Sequence, residues 1–316
     1  MVAQPVSDTS LISSLLPSVV YTNRAAGGGR GHSSIPQIRK VFETFSVLTE
    51  FISVASAEEL ASAARAAIQS GTRLLFALGG DGTFQSLVNA AYGADVVLGV
   101  LPAGGGNDFA AGLGLPKEPA AAAVAMLRGQ PRTVDLVRAR TADGRVRFYA
   151  GGGGVGIDSE AALHANGAFR HWPGRSRYIA SALRAFCGYS PLLVKAEFPA
   201  GDCPSIESTC LLVAVLNTPT YGAGIRLAPD ASMDDGWLDA AVVRDLSLFQ
   251  VLIRLPRLLK RGELRAGDVK RLRVRSMRIT TDRPCMFHGD GEILGPTPVE
   301  IEVMPQAMRV LAPLQH

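Results

Sequence analysis

Cysteine is scarce: Cys187, Cys203, Cys210 and Cys285 stand alone in 316 residues, and none forms a C-x-x-C pair. That excludes a zinc ribbon or a thioredoxin-type site and favours reduced thiols over a disulfide scaffold. Aromatic residues make up 6% of the chain, too few for the stacking platforms of a single-stranded nucleic-acid binder. No run of ~18 apolar residues occurs, so nothing reads as a membrane-spanning helix. The first 23 residues carry no Lys or Arg, whereas a secretory signal needs a basic n-region. Residues 1–16 read as a loose leader, and the expected location is cytoplasmic. There is no G-x-x-x-x-G-K-[ST] string, which excludes a P-loop.

What is present is apolar and rich in glycine. Apolar residues reach 47%, charged residues 19%, and there are 34 glycines. Such a chain buries a full core, and its length suggests roughly two domains at ~150 residues each. The net charge of +4 is unevenly spread. Residues 251–278 hold ten basic side chains against two acidic ones, Glu263 and Asp268, so the remainder is acidic on balance. A basic surface on an acidic body points to an anionic partner. No nucleic-acid recognition motif accompanies it, and no nucleic acid is expected.

Up to about residue 131, buried strand, glycine turn and helix alternate. Strands are expected at 19–22, 73–78 and 96–101, and helices at 57–70, from Thr83 onward, and at 118–129. This is the pattern of a parallel α/β sheet. Beyond residue 132, strand-like runs dominate, at 133–140, 145–150, 192–198, 209–216, 238–244, 271–280 and 298–304. They predict an antiparallel sheet or β-sandwich. The expected domains are 1–132 and 133–304, with a tail at 305–316. Helices are expected at 177–186 and 248–260. In the latter, Leu248, Val251, Leu252, Leu255, Leu258 and Leu259 form an apolar face edged by cations, a candidate for the membrane interface. Pro256 interrupts it and favours simple packing on the domain. The loop from Phe169 to Arg175, with Trp172 among cations, is a second membrane candidate.

Four motifs carry chemistry. Gly79-Gly80-Asp81-Gly82-Thr83 joins a strand to a helix N-terminus, where backbone N–H groups suit phosphate. Asp81 reads as a ligand of nucleotide-bound Mg²⁺ or as a cap on backbone N–H groups. Gly104-Gly105-Gly106-Asn107-Asp108 follows the next strand. Two such turns at the carboxyl ends of parallel strands form a ligand crevice; Asn107 and Asp108 orient a ligand there or cap the turn. The Asp-rich turn from Asp230 to Gly236 suits a hard cation or is simply a solvated acidic turn. Asp290-Gly291-Glu292 lies in a glycine-flanked turn between strands and reads as a common hairpin turn or, if extended, as two carboxylates on one side, where one can take a hydroxyl proton. His288 reads as a turn or core residue. Gly151-x-Gly153-x-x-Gly156 matches a dinucleotide string, but no Asp or Glu follows between 161 and 196. It reads instead as backbone passing close to another element or a ligand.

In this order the motifs resemble the diacylglycerol kinase catalytic-domain superfamily, which includes YegS-like lipid kinases and the sphingosine and ceramide kinases. The resemblance runs from about Val19 to Pro313. It implies an α/β nucleotide domain with a parallel sheet, a β-sandwich domain, ATP bound between them, and a chain end that returns to the first domain. It implies an enzyme, an ATP-dependent lipid kinase using Mg²⁺ at a membrane surface, with diacylglycerol or a related lipid as acceptor. A homodimer is compatible with it. ATP phosphates would be held by Gly79, Gly80, Asp81, Gly82, Thr83, Phe84 and Gln85 and by Gly104, Gly105, Gly106, Asn107 and Asp108. A structural Mg²⁺ would sit on Asp235 and the carbonyls of Ser232 and Trp237. Asp290 or Glu292 would accept the proton. Two departures remove polar side chains from the expected nucleotide side: Gly105, where the family carries Thr or Ser, and the run Gly151 to Gly154, where Asn is common. They motivate one rival, a degraded kinase that binds nucleotide or lipid as a sensor; a second rival, an NAD kinase-like enzyme that phosphorylates a soluble nucleotide, shares Asp81 and its glycine turn.

Overall fold

The computed structural model describes residues 15–23, 30–166, 168, 180–181, 184–186, 189–222, 224–247, 249–251, 253–254, 262 and 264–314. The loop 169–175, the segment 255–261 and most of the leader lie outside these residues. The chain divides into two compact units, Met1–Val134 with Ala307–His316, and Asp135–Gln306.

The first unit is built on parallel strands in the order β2 (Thr49–Val54), β1 (Ser18–Asn23), β3 (Leu74–Gly79) and β4 (Val97–Pro102). The last part of β15 (Val299–Ala312) adds parallel to β4, with Arg309 opposite Val97. Every residue of β3 and β4 is buried, as near-continuous apolar runs in a covered parallel sheet require. The helices are α1 (Arg30–Thr44), α2 (Ala57–Gln69), α3 (Asp81–Ala91), α4 (Asp108–Gly112) and α5 (Pro119–Leu127). Ser56 opens α2 by accepting the Glu59 N–H, while Glu59 accepts the Ala55 N–H, a reciprocal cap. Helix α3 starts at Asp81, two residues earlier than its sequence pattern suggests. α1 and β2 lack a legible periodicity and are absent from the sequence reading.

The second unit is antiparallel. Its strands run β14 (Glu292–Pro296), β13 (Met286–Gly289), β7 (Gly152–Gly156), β9 (Ile206–Leu216), β8 (Leu192–Glu197), β12 (Ser276–Thr281), then the first part of β15. β10 (Leu238–Arg244) pairs with β9 and β11 (Val269–Val274), and β5 (Gln130–Arg140) with β6 (Val146–Tyr149). β9 separates two apolar cores. Val213 and Val215 enter one, Ala214 and Leu216 the other, as the two-residue strand period dictates. Helix α6 (Ile157–Asn166) packs on β7, β13 and β14. This is the α/β plus β-sandwich architecture expected from sequence.

One strand expectation needs correction. The run 271–280 is not one strand: it breaks at Arg275 into β11 and β12. There the backbone N–H donates to Asp202 Oδ2 at 2.7 Å and the guanidinium reaches Oδ1 at 2.7 and 2.9 Å. The glycine run after Ala150, read as backbone passing close to another element, forms strand β7 between β13 and β9. Among the described residues, no helix is long and apolar enough to cross a membrane.

Candidate active site

In the first unit the two glycine turns leave adjacent parallel strands and touch. A Cβ placed on Gly104 would lie 2.4 Å from the Gly80 Cα, so only glycine permits this approach. The Asp81 carboxylate crosses from one turn to the other. Its Oδ2 accepts the N–H groups of Asn107 at 2.7 Å and Asp108 at 3.2 Å, and its Oδ1 that of Phe109 at 3.2 Å. These are the orphan donors at the start of α4. Asp81 is thus the cap that the sequence reading set beside the metal-ligand role. Asn107 lies in the left-handed region at φ 60°. Its amide is tied to Gly104 on both sides, accepting the N–H at 3.0 Å and donating to the carbonyl at 3.1 Å. It closes the turn, the second of the two roles read from sequence.

The members of the expected phosphate-binding set differ in exposure. Phe84 and Gln85 are buried, and Phe84 stacks on Phe109 with ring centroids 4.6 Å apart. Gly79 cannot carry a side chain because Thr83 folds back over it, its Oγ1 2.4 Å from where a Cβ would stand. The turn atoms of Gly80, Gly82, Gly105, Gly106 and Asp108 remain at least partly accessible.

In the second unit Asp290 and Gly291 form the tip of the β13–β14 hairpin, at φ 49° and 84°. Paired positive φ values mark the Asp-Gly hairpin turn, the turn reading that the sequence offers, and the two acids differ in their surroundings. Asp290 points inward and accepts the N–H groups of Ala150 at 2.8 Å, Gly151 at 3.0 Å and Gly152 at 3.1 Å. Burial pushes its carboxyl pKa up to about 6, against the pull of those three donors and of His288. Glu292 is exposed at the start of β14.

The glycine run follows from this packing. A Cβ on Gly151 would meet Asp290 Oδ1 at 2.9 Å, on Gly153 the His288 carbonyl at 2.5 Å, and on Gly154 the Val213 carbonyl at 2.7 Å. These glycines are demanded by the strands beside them; their lack of polar side chains is not by itself a sign of lost activity.

Sequence reasoning missed a buried polar cluster beside this hairpin. Asp158 opens α6. Its Oδ2 takes the Tyr221 hydroxyl and lies 2.9 Å from His288 Nε2, which is 2.7 Å from the Tyr221 oxygen. Its Oδ1 accepts the Ser159 N–H at 2.8 Å. An Nε2–H tautomer lets both partners donate to one carboxylate oxygen. The three residues are up to 130 positions apart, so no local pattern announces them. His288 is the core residue that the sequence reading expected.

The acidic turn holds Asp235, whose Oδ1 accepts the Trp237 N–H at 3.0 Å and whose Oδ2 pairs with Arg273 at 2.5 Å. Ser232 donates to Asp234 at 2.8 Å. Asp135 lies beside them, fully buried, accepting the N–H groups of Gly236 and Gln306, both at 2.7 Å. Burial pushes its pKa up, and Asp235 and Asp234 push it the same way. Among the described residues no three His, Cys, Asp or Glu side chains converge as a metal cage. Asn217 donates to the carbonyls of Asp135 and Ala150, both at 3.0 Å.

Comparisons with known proteins agree with this arrangement. Residues 17–139 match the diacylglycerol kinase catalytic domain, and residues 153–312 match the YegS C-terminal NAD kinase beta sandwich-like domain. A diacylglycerol kinase of Mycobacterium tuberculosis (strain CDC 1551 / Oshkosh) is 31% identical over 250 residues, covering 78% of this chain and 79% of the relative. A diacylglycerol kinase of Bacillus subtilis (strain 168) is 25% identical over 299 residues, covering 93% and 95%. The crystal structure of a diacylglycerol kinase from Bacillus anthracis str. Sterne superposes with a TM-score of 0.69 at 20% identity, covering 94% of this chain and 96% of that one. Two matched domains in this order, over a fold with the same layout, establish that the chain belongs to the diacylglycerol kinase and YegS-like lipid kinase family.

Proposed function

We propose that this lipid kinase transfers the γ-phosphate of ATP to the hydroxyl of diacylglycerol or a closely related lipid. The observation that carries the nucleotide half is the Gly80–Gly104 contact. It leaves two stretches of bare backbone at the ends of β3 and β4, and backbone N–H groups there suit a phosphate chain. The clamp of Asp81 on α4 holds those turns in place before any ligand arrives. Preorganisation of this kind matters because phosphoryl transfer depends mainly on positioning and charge neutralisation.

Asp108, next to the clamp and partly accessible, is the carboxylate that would face a nucleotide-bound cation. Magnesium keeps waters and phosphate oxygens and needs only one or two protein carboxylates, so this donor set fits. The ion would neutralise phosphate charge. At the acidic turn, Asp235 with the carbonyls of Ser232 and Trp237 would hold a structural cation. Arg273 already lends Asp235 a positive partner, and the ion would compete with that guanidinium.

Glu292 is the proposed proton acceptor, because Asp290 is committed to three backbone donors. The lipid hydroxyl oxygen bonds to the γ-phosphorus as the bond from that phosphorus to the β–γ bridging oxygen breaks. ADP leaves, and the hydroxyl proton passes to Glu292. The test is transfer of labelled γ-phosphate to a panel of lipids in mixed micelles, with Mg²⁺ or chelator, and with NAD as a soluble acceptor. Labelling of a glycerolipid that needs Mg²⁺ and falls ~10²–10⁴-fold in Glu292→Gln supports the reading. Labelling of NAD alone, or full activity in the variant, overturns it.

A further inference from the structure

The buried Asp158–Tyr221–His288 cluster lies beside the hairpin that carries Glu292, and the wiring of its imidazole is one-sided. Every hydrogen bond of the His288 ring runs through Nε2, to Asp158 Oδ2 at 2.9 Å and to the Tyr221 oxygen at 2.7 Å. Nδ1 is buried and makes none among the described residues. The Tyr221 ring also stacks on the imidazole, with centroids 5.9 Å apart. Asp158 and Tyr221 therefore set the orientation of this side chain.

Both anchors are themselves fixed. Asp158 is tied to β7 through its neighbour: Ser159 donates its hydroxyl to the Gly154 carbonyl at 3.2 Å. Tyr221 exchanges backbone hydrogen bonds with Ile225 at 2.8 and 2.9 Å. Strand β7 makes room for the two side chains. A Cβ on Gly154 would lie 2.5 Å from Asp158 Oδ2, and one on Gly152 would lie 2.8 Å from the Tyr221 ring. Stability alone does not call for such a cluster, because apolar side chains of similar volume often pack a core as well as buried charged groups do.

What the cluster grips is a break in the ladder. β13 pairs Phe287 with Gly295 but His288 with Ile293, so Leu294 is an extra residue on β14. Such a bulge bends its strand and re-aims the side chains beyond it. His288 is the β13 residue on the tip side of this bulge. Holding its ring holds the bend, and with it the direction of residues 289–292. Asp290 grips β7 from the tip itself. Two grips, one on each side of Gly289, leave the hairpin little freedom to pivot.

We propose that Asp158, Tyr221 and His288 are positioning residues for phosphoryl transfer, aiming the bulged hairpin so that Glu292 meets the acceptor hydroxyl. This rests on the reading of Glu292 as the proton acceptor. The experiment combines kinetics in mixed micelles with amide hydrogen exchange, both on the full chain. His288→Leu should lower kcat ~10–100-fold, as a misplaced group does, with KM for ATP unchanged. His288→Gln keeps an N–H donor near the Nε2 position and should restore most of kcat; Tyr221→Phe gives a smaller loss than His288→Leu. In a Glu292→Gln background His288→Leu should cost nothing further, because residues that act as a unit are not additive. Exchange of the amides of residues 289–293 should quicken in His288→Leu while those of β10 and β11, in the same unit, keep wild-type rates. Wild-type kcat in His288→Leu overturns the proposal, as does a loss that multiplies with that of Glu292→Gln. Exchange that rises equally across the second unit also overturns it, since that marks general destabilisation. If His288→Leu does not fold, Tyr221→Phe decides by the same comparisons. If the wild type phosphorylates no lipid, the kinase reading falls separately; exchange confined to the hairpin then upholds the grip, and uniform exchange overturns it.

Discussion

Each unit contains one carboxylate that gathers three consecutive backbone N–H groups from another segment. Asp81 holds Asn107, Asp108 and Phe109, and Asp290 holds Ala150, Gly151 and Gly152. The difference lies in what surrounds them. Asp81 clamps the N-terminus of a short helix on a partly accessible turn, where water can substitute for it. Asp290 clamps a glycine strand, and desolvation pushes its pKa up to about 6. The same local device is thus a loop organiser in one unit and a buried, energetically tense contact in the other. In both, an acid that reads as reactive in sequence is engaged by backbone N–H groups.

Removing the two clamps separates them. Asp290→Ala strands three N–H groups with little access to water and should cost about 4 kcal/mol, whereas Asp81→Ala should cost about 2 kcal/mol. Urea unfolding measures both, and equal losses would erase the contrast.

The next effect is in pH. A carboxyl whose pKa rises from 3.8 to about 6 on folding takes up its proton more readily in the folded chain. Its stabilising contribution is present below pH ~4 and is lost as pH rises through ~6. Wild type should therefore lose up to about 3 kcal/mol relative to Asp290→Asn between pH 4 and pH 7. Parallel unfolding curves for the two proteins across that range would contradict the assignment.

Gly154→Ala drives a methyl into the Val213 carbonyl, and Gly104→Ala drives one into Gly80. Each should cost about 2 kcal/mol as overpacking. They should part in ligand binding: only Gly104→Ala weakens ATP binding measured by calorimetry. The smallest effect belongs to the buried cluster. Tyr221→Phe removes one hydroxyl from Asp158 and His288 and should lower stability by about 1 kcal/mol in thermal unfolding.

Much of this was legible in sequence because it is local. Unbroken apolar runs place β3 and β4, and glycine after each run places the turns. The Asp-Gly pair marks the hairpin, and the order of motifs marks the family. The roles of the acids were not legible, because an Asp beside glycines reads the same whether it faces a cation or three N–H groups. The break at Arg275 depends on Asp202, 73 residues away. The Asp158–Tyr221–His288 cluster is assembled by β7, β9 and β13 lying side by side.

The last part of β15 has a consequence for synthesis on the ribosome. Residues 307–312 belong to the first unit and complete its sheet beside β4, yet the whole second unit is translated before them. At ~5–20 residues per second that is a wait of roughly 10–30 s. Throughout it, the β4 edge, among the most apolar in the protein, stands unpaired and open to other chains.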